Sequence, residues 1–278
     1  MSVSRRTAKV VEKLPAYLVS LSAIALTMFP ILWILGISLK TQRDAFALPP
    51  TLVFKPIIDN YVAIWQKEGF RQAFVNSTII TLVGVALAIT LAALAAFALK
   101  RLRFRGKRLL MVWLLLAYML PEFLFAIPMY VLYQRVGLYD THFGLALVYQ
   151  VFVLPFSVWL LRSFFEDIPS EVDDAARIDG CSNLQTLMHI YLPVTAPGIA
   201  ATAILAGIWI WNELTIALAL TFSNAQTVTV AVASFRGYAS IDWGPMTAAS
   251  ITAILPMLLF AAFAQKYIVK GLTLGAVK

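Results

Sequence analysis

Two carboxylates lie deep within apolar segments of the sequence, where an ionisable side chain is energetically unfavourable. Glu122 lies about 13 residues into one segment, roughly 20 Å from its end at a helical rise of 1.5 Å per residue. Glu213 lies at a similar depth in another segment. Because lipid solvates an isolated charge poorly, each carboxylate is a candidate for function.

The residues around the second carboxylate combine an aromatic ring with hydrogen-bonding groups. The i, i+3, i+4 and i+7 spacing of one helical face aligns Trp209, Asn212, Glu213 and Ile216, whereas Trp211 is predicted to point elsewhere. A ring beside an amide and a carboxylate suits a sugar, whose C–H faces stack and whose hydroxyls need hydrogen bonds. The candidates to line such a path are Trp209, Asn212, Glu213 and Glu122. The alternative is that these groups join helices or stabilise a subunit interface.

The segments that carry these residues belong to a chain with the composition of a membrane protein. Of its 278 residues, 61% are hydrophobic and 13% are charged, about half the charged fraction of soluble domains. Six segments approach the roughly 20 apolar residues that a membrane-spanning helix needs. They are residues 15–39, 74–99, 109–132, 143–161, 198–220 and 245–265. The uncharged run Leu14–Leu39 is longer than the hydrophobic region of a signal peptide, so we expect an uncleaved first span. The expected fold class is therefore an all-α polytopic membrane protein.

The distribution of positive charge predicts the orientation of these spans. The loop from Lys100 to Arg108 has six cations in nine residues, and the positive-inside rule places it in the cytoplasm. Fifteen of the 22 lysines and arginines then lie on the cytoplasmic side, and both termini are cytoplasmic. The net charge of +8 is explained by topology and lipid contact rather than by a nucleic-acid partner.

A polar, acidic segment lies between the fourth and fifth predicted spans. Ser170 is a predicted N-cap, with Asp173 three residues later in a pattern like a capping box. Gly180 is predicted to end this helix in a left-handed conformation. A second helix is predicted from about Ser182 to Tyr191, stopped by Pro193. The sequence thus predicts a helix–glycine–helix segment over residues 166–193.

This segment resembles the "EAA" loop of ATP-binding-cassette importer permeases, which receives the ATPase subunit. The match consists of Asp174-Ala175-Ala176, three further residues, Gly180, nine residues, Ile190, one residue and Leu192-Pro193. Asp174 replaces the usual glutamate of the family. The resemblance implies that the ATPase docks on Glu171, Asp173, Asp174, Ala175, Ala176, Gly180, Ile190, Leu192 and Pro193.

Three further stretches resemble the smaller, second permease of the maltose-type carbohydrate importers. They are Phe74-Val75-Asn76-Ser77, Trp211-Asn212-Glu213 and the ending Gly271-Leu272-Thr273-Leu274-Gly275-Ala276-Val277-Lys278. The resemblance implies a type I importer permease fold, with residues 1–278 as one transmembrane domain whose core spans cover about 74–265. It also implies that the tail 266–278 contacts the ATPase through Gly271, Thr273 and Gly275.

The resemblance also implies the assembly and its location. The expected partners are a second homologous permease, an ATPase dimer that binds ATP and magnesium, an extracytoplasmic sugar-binding protein and membrane lipid. The chain itself is expected to bind no cofactor or metal and to have no catalytic residues. We expect a multi-pass protein of a bacterial or archaeal cytoplasmic membrane that translocates a disaccharide, an oligosaccharide or a related sugar.

Two other classes of membrane protein remain as alternatives at this stage. A secondary transporter would couple uptake to an ion gradient through carboxylates such as Glu122 and Glu213. A membrane enzyme would need a clustered catalytic constellation, which the sequence does not offer. Gly106-Lys107-Arg108 lacks the rest of a phosphate-binding loop, and His142 and His189 are predicted on opposite sides of the membrane.

Overall fold

A computed structural model describes residues 2–102, 104–235 and 242–275, with side chains described between residues 15 and 263. The chain divides into two compact units. One unit contains Met1–Lys67 and Phe235–Thr252, and the other contains Glu68–Ser234 and Ala253–Lys278. The expectation of a single domain stays a prediction.

The described residues are helical throughout their regular structure, which confirms the predicted fold class. In chain order the helices are α1 (Ser2–Ser38), α2 (Gln42–Ala45), α3 (Asp59–Gln66), α4 (Glu68–Arg101), α5 (Lys107–Met119), α6 (Phe123–Val136), α7 (His142–Val148), α8 (Gln150–Glu166), α9 (Ser170–Ile178), α10 (Asn183–Thr186), a π-helix (Leu187–Tyr191), α11 (Leu192–Val194), α12 (Ala196–Asn212), α13 (Thr215–Leu220), α14 (Val228–Ala233) and α15 (Trp243–Gly275).

Three of the described helices are long and apolar enough to cross a membrane. They contain the stretches Pro15–Ser38, Glu68–Arg101 and Trp243–Phe263. Three bent pairs raise the number of candidate spans to six: α5 with α6 at 96°, α7 with α8 at 51°, and Asn183–Val194 with α12 at 81°. The third and fourth spans, predicted as single runs over 109–132 and 143–161, are therefore each bent, and the predicted fifth span 198–220 is interrupted after Asn212. Hydropathy alone does not reveal these bends, because apolar residues continue on both sides of each break.

The larger unit is built around α4. Small residues line its buried side, and Ala88, Ala92 and Ala96 are fully buried. Gly84 permits a close approach of α12, because a Cβ there would lie 2.8 Å from the Ile210 Cδ1 atom. Small residues at such crossings allow membrane helices to pack closely without a hydrophobic driving force. As a result α8 and α12 pack directly on α4, and α12 carries the candidate residues Trp209 and Asn212.

In the smaller unit, hydrogen bonds join the end of α1 to the connection that follows it. The Asn60 side-chain amide donates to the Ser38 and Lys40 carbonyls at 2.9 Å each. The Lys40 ammonium donates to the Thr51 carbonyl at 2.6 Å. Helix α3 begins at the end of this connection, at Asp59. These contacts give the connection a defined path between residues 38 and 61.

Candidate functional site

The larger unit contains a cavity of about 520 Å³ that brings the four candidate path residues together. Its wall includes Glu122, Trp209, Asn212 and Glu213, and the full lining is Tyr118, Glu122, Phe152, Val153, Phe156, Leu205, Ala206, Ile208, Trp209, Asn212, Glu213, Leu214 and Thr215. Both carboxylates lie at breaks between helices. Glu122 lies between α5 and α6, and Glu213 lies between α12 and α13.

The Glu213 carboxylate accepts three hydrogen bonds from groups of this chain. The Tyr149 hydroxyl donates to its Oε2 atom at 2.8 Å. The Ile216 amide donates to Oε1 at 2.6 Å, and the Ala217 amide donates to Oε2 at 3.0 Å. A carboxylate at the start of a helix satisfies amides that have no partner within the helix. Glu213 is 5% exposed, and its hydrogen bonds stabilise the break between α12 and α13 in the fifth span.

The predicted helical face through this region is wrong. Helix α12 ends at Asn212, and Glu213 has an extended backbone conformation (φ −63°, ψ 131°). The break turns Glu213 inward and leaves Asn212 exposed. The Asn212 amide nitrogen donates to the Ile208 carbonyl and to the Met257 sulfur, each at 2.9 Å. Trp211 points away from the cavity, as predicted, and its indole N–H donates to the Ala253 carbonyl at 3.0 Å.

Three further aromatic side chains, Tyr118, Phe152 and Phe156, line the cavity, and they were not among the residues predicted from the sequence. Phe152 stacks on Trp209 with ring centroids 5.5 Å apart and an interplanar angle of 27°. Tyr118 and Phe156 form a second stacked pair at 6.3 Å. No local signal distinguishes these rings from other aromatics in apolar spans, because the bends between helices decide which rings face the cavity. The result is a half-open apolar cavity with a few polar groups, which suits an organic ligand that carries hydroxyl groups.

The loop after α13 is clamped by polar side chains that the sequence analysis did not select. Asp140 accepts hydrogen bonds from the backbone amides of residues 222–225 at 2.9–3.1 Å. The Asn76 side chain donates to the Asn224 and Gln226 carbonyls, and Ser77 accepts from the Val228 amide at 2.8 Å. The Phe74–Ser77 stretch, noted above only for its resemblance, thus has a physical role. It anchors the far end of the segment that contains the Glu213 break.

Replacing Asp140 with alanine is expected to lower the free energy of unfolding by about 1–2 kcal/mol, the range for losing a side-chain cap of backbone amides. Burial disfavours the ionised carboxyl, but the four amide donors outweigh it and hold the pKa of Asp140 below its usual value. A lowered pKa stabilises the fold above the pKa of the unfolded chain, and that stabilisation disappears as the pH falls through the folded pKa.

Thermal unfolding of the detergent-purified chain between pH 3 and pH 7 measures this effect. The difference between wild type and Asp140→Ala should be largest at pH 7 and shrink in acid. Glu68→Ala removes an exposed carboxylate and serves as the control. Equal curves for wild type and Asp140→Ala at pH 7 would contradict the clamp.

The segment 166–193 forms the predicted helix–glycine–helix structure, with corrected ends. Gly180 has a left-handed conformation (φ +76°), as predicted. Ser182 caps the second helix and forms a capping box with Gln185. The cap predicted for the first helix is wrong, because Ser170 is the first helical residue and no side chain caps α9. Pro193 does not stop the second helix, which continues through the π-helix to Val194, because a proline is tolerated in the first turn of α11.

The predicted docking residues divide between two faces. Asp173 and Ala176 turn toward the chain itself, where Ala176 is 2% exposed. Ile190 and Leu192 pack on the core formed by residues of α4, α5 and α8. The residues that remain exposed are Glu171, Asp174, Ala175, Gly180 and Pro193. The exposed face also carries large apolar side chains that the sequence analysis did not single out: Ile178, Leu184 and Met188.

Two cations at the end of α4 hold this segment. The Lys100 ammonium donates to the Phe165 carbonyl at 2.9 Å and also to the Ile168 carbonyl. The Arg101 guanidinium pairs with Asp173 at 3.2 Å. These two residues therefore have partners within the chain, in addition to the topological role predicted for their cluster.

The predicted contacts of the C-terminal tail lie at the edge of the described residues. For Gly271, Thr273 and Gly275 only the backbone of α15 is described, and residues 276–278 lie outside the described residues.

The sequence matches a known protein family and several characterised relatives. Residues 84–274 match the family described as "Binding-protein-dependent transport system inner membrane component". The trehalose transport system permease protein SugB of Mycobacterium tuberculosis is 38% identical over 257 residues, which cover 90% of this chain and 92% of that protein. The trehalose/maltose transport system permease protein MalG of Thermococcus litoralis is 34% identical over 255 residues, covering 90% and 91%.

The fold also matches a solved structure. A chain from the crystal structure of a bacterial ABC transporter involved in the import of the acidic polysaccharide alginate superimposes with a TM-score of 0.77. The match covers 94% of this chain and 98% of that chain at 21% sequence identity. At this level of identity the likeness establishes a shared fold.

Proposed function

This chain belongs to the family of binding-protein-dependent transport system inner membrane components, and we propose that it is a permease subunit of an ATP-driven sugar importer. It works in the cytoplasmic membrane of a bacterium or archaeon, with both termini and segment 166–193 in the cytoplasm. A second homologous permease completes the path through the membrane. The observation that carries the proposal is the convergence of stacked rings and polar side chains on one cavity.

The cavity supplies the contacts that a sugar requires. Trp209, backed by the buried ring of Phe152, offers a ring face for C–H groups, and Asn212 and Glu122 offer hydrogen-bonding atoms for hydroxyls. Glu213 has a different role in this proposal, because both of its oxygens already accept hydrogen bonds from the chain. It keeps the broken helix in place while the other groups contact the sugar. Disaccharides such as trehalose and maltose are the first candidates, since the relatives named above carry these sugars in their names.

The exposed face of segment 166–193 receives the ATPase. Ile178, Leu184 and Met188 provide an apolar surface, and Glu171 and Asp174 provide negative charge beside it. The partner ATPase subunits bind ATP and magnesium, and the tail of this chain adds a further contact to them. An extracytoplasmic binding protein delivers the sugar to the opposite side. Because a ligand shifts an equilibrium only through differential contacts, ATP acts on the cavity through this surface.

Affinity purification of the tagged chain from mild detergent tests the assembly. Recovery of a second permease together with an ATPase is the expected result. Uptake of radiolabelled trehalose or maltose into vesicles should then depend on ATP inside. Recovery of the chain alone, with uptake abolished by an uncoupler and insensitive to ATP, would favour a secondary transporter instead.

A further inference from the structure

We infer that Arg101, Asp173 and Tyr191 form a latch that joins helix α9 to α4 and α8, so that force on α9 reaches the cavity. The inference rests on the proposed function, because it assigns positioning residues for the coupling of the ATPase to the path. The latch touches neither sugar nor nucleotide. It fixes the direction in which movement of the docking surface is transmitted.

The polar part of the latch joins α9 to two other segments through the carboxylate of Asp173. The Arg101 guanidinium, at the end of α4, donates to Asp173 Oδ1 at 3.2 Å. The Tyr191 hydroxyl, at the end of the π-helix, donates to Oδ1 at 3.0 Å and to Oδ2 at 2.9 Å. The Arg101 and Asp173 side chains are 4% and 13% exposed, so water screens the pair weakly. Hydrogen bonds to a charged group are stronger than those between neutral groups.

The apolar part of the latch is the ring of Tyr191, which is fully buried. It makes edge contacts with Phe97 on α4 at 4.9 Å and with Phe165 on α8 at 5.2 Å. Burial and the hydrogen bond to Asp173 raise the pKa of the Tyr191 phenol above its usual range, so it remains a donor. The ring therefore ties the second helix of segment 166–193 to α4 and α8, while its hydroxyl ties that helix to α9.

Among the described residues the other ion pair does not connect two helices, and Lys100 reaches only backbone carbonyls at the end of α8. In the described part of the chain the other ion pair, Arg162 with Glu166, spans one turn of α8. Such a pair contributes little and links no second helix. On α9 itself, Glu171 and Asp174 are exposed, whereas Asp173 turns toward the chain. Asp173 is thus the carboxylate of α9 that is suited to transmit force.

The connected helices lead from the latch to the cavity. Helix α4 packs along both α8 and α12. Helix α8 carries Phe152 and Phe156 of the cavity wall, and α12 carries Trp209. A push on the exposed face of α9 therefore moves the end of α4 and α8 together, because buried packing resists local deformation. Without the latch, α9 would yield at the Gly180 turn and the movement would dissipate there.

The test uses the complex purified with its own ATPase, in a common Cys181→Ser background with Thr215→Cys as a reporter in the cavity wall. The rate of Thr215→Cys modification by a charged thiol reagent is measured with and without ATP plus vanadate. We expect Tyr191→Phe and Asp173→Asn to reduce the ATP-induced change in rate about tenfold, the effect of losing one hydrogen bond to a charged group. ATP hydrolysis per assembled complex should persist.

Controls separate transmission of force from simple stability. Glu166→Gln removes the ion pair within α8 and should leave the reporter response unchanged. Combining Tyr191→Phe with Asp173→Asn should be no worse than Asp173→Asn alone, because both changes break the same interaction. Arg101→Lys, which keeps the charge, should recover part of the response that Arg101→Gln loses.

Two results would overturn the latch. One is a wild-type reporter response in assembled Tyr191→Phe, and the other is failure of that variant to assemble, which would assign these residues to folding alone. Failure of the proposed function is distinguishable, because the reference complex itself would then lack an ATPase or any response to ATP.

Discussion

Replacing Glu213 with alanine is expected to lower the free energy of unfolding by about 3 kcal/mol, the combined effect of leaving buried donors without an acceptor. The donors affected are the Tyr149 hydroxyl and the amides of Ile216 and Ala217. Helix α13 would lose its capping carboxylate, and the Glu213 break would lose its fixed geometry. We therefore expect transport to fall at least tenfold because the cavity wall is no longer held.

The variant Asn212→Ala serves as the control for Glu213→Ala. Asn212 is exposed at the same cavity and its loss leaves no buried donor unpaired, so its variant should unfold as wild type does. Its sugar uptake should nevertheless fall, because we propose that Asn212 is a hydrogen-bond partner of a sugar hydroxyl. Thermal unfolding of the purified complex and uptake of radiolabelled trehalose or maltose measure the two effects. If Glu213→Ala unfolded at the wild-type temperature while uptake disappeared, Glu213 would be a direct sugar contact.

Replacing Ile178 with aspartate is expected to abolish recovery of the ATPase with the tagged chain. Ile178 is 87% exposed on α9 and lies beside Asp174 and Asp179 on the proposed docking surface. A large apolar side chain at the centre of an interface typically contributes 2 kcal/mol or more, which corresponds to roughly 30-fold in affinity. A new carboxylate beside two existing ones would add repulsion and an unfavourable desolvation.

The matched control is Val53→Asp, which places the same charge at a position that is 96% exposed in the connection between α2 and α3. This variant should retain the ATPase. Quantitative co-purification of the two variants, with the amount of inserted chain measured in parallel, provides the comparison. Normal ATPase recovery with Ile178→Asp would show that the ATPase docks elsewhere on the chain.

Features that depend on neighbouring residues could be predicted from the sequence. The left-handed turn at Gly180 and the start of the second helix near Ser182 are local, because each arises from the backbone preference or hydrogen bonding of a few consecutive residues. The apolar segments are local as well, since hydropathy counts residues within one window. The error at Ser170 is also informative. Asp173, expected to complete a cap, bonds instead to Arg101, 72 residues earlier in the chain.

The site depends on contacts between distant residues. The break after Asn212 is held by Tyr149, which is 64 residues away in sequence, and by Thr229, whose hydroxyl donates to the Glu213 carbonyl at 2.9 Å. A helical pattern continues through the apolar residues on both sides, so periodicity predicts one uninterrupted face where the structure has two helices.

Composition and spacing alone predict a helical membrane protein with a helix–glycine–helix segment, and the importer-permease type enters through the resemblance of that segment to a known family. Those properties follow from solvation in lipid and from short-range backbone preferences, which a sequence displays directly. That Glu213 holds a helix break at the cavity wall, and that Asp173 is the acidic residue of α9 that turns inward, follow instead from packing between helices. Packing depends on side chains far apart in the chain, and so it appears only once the helices are assembled.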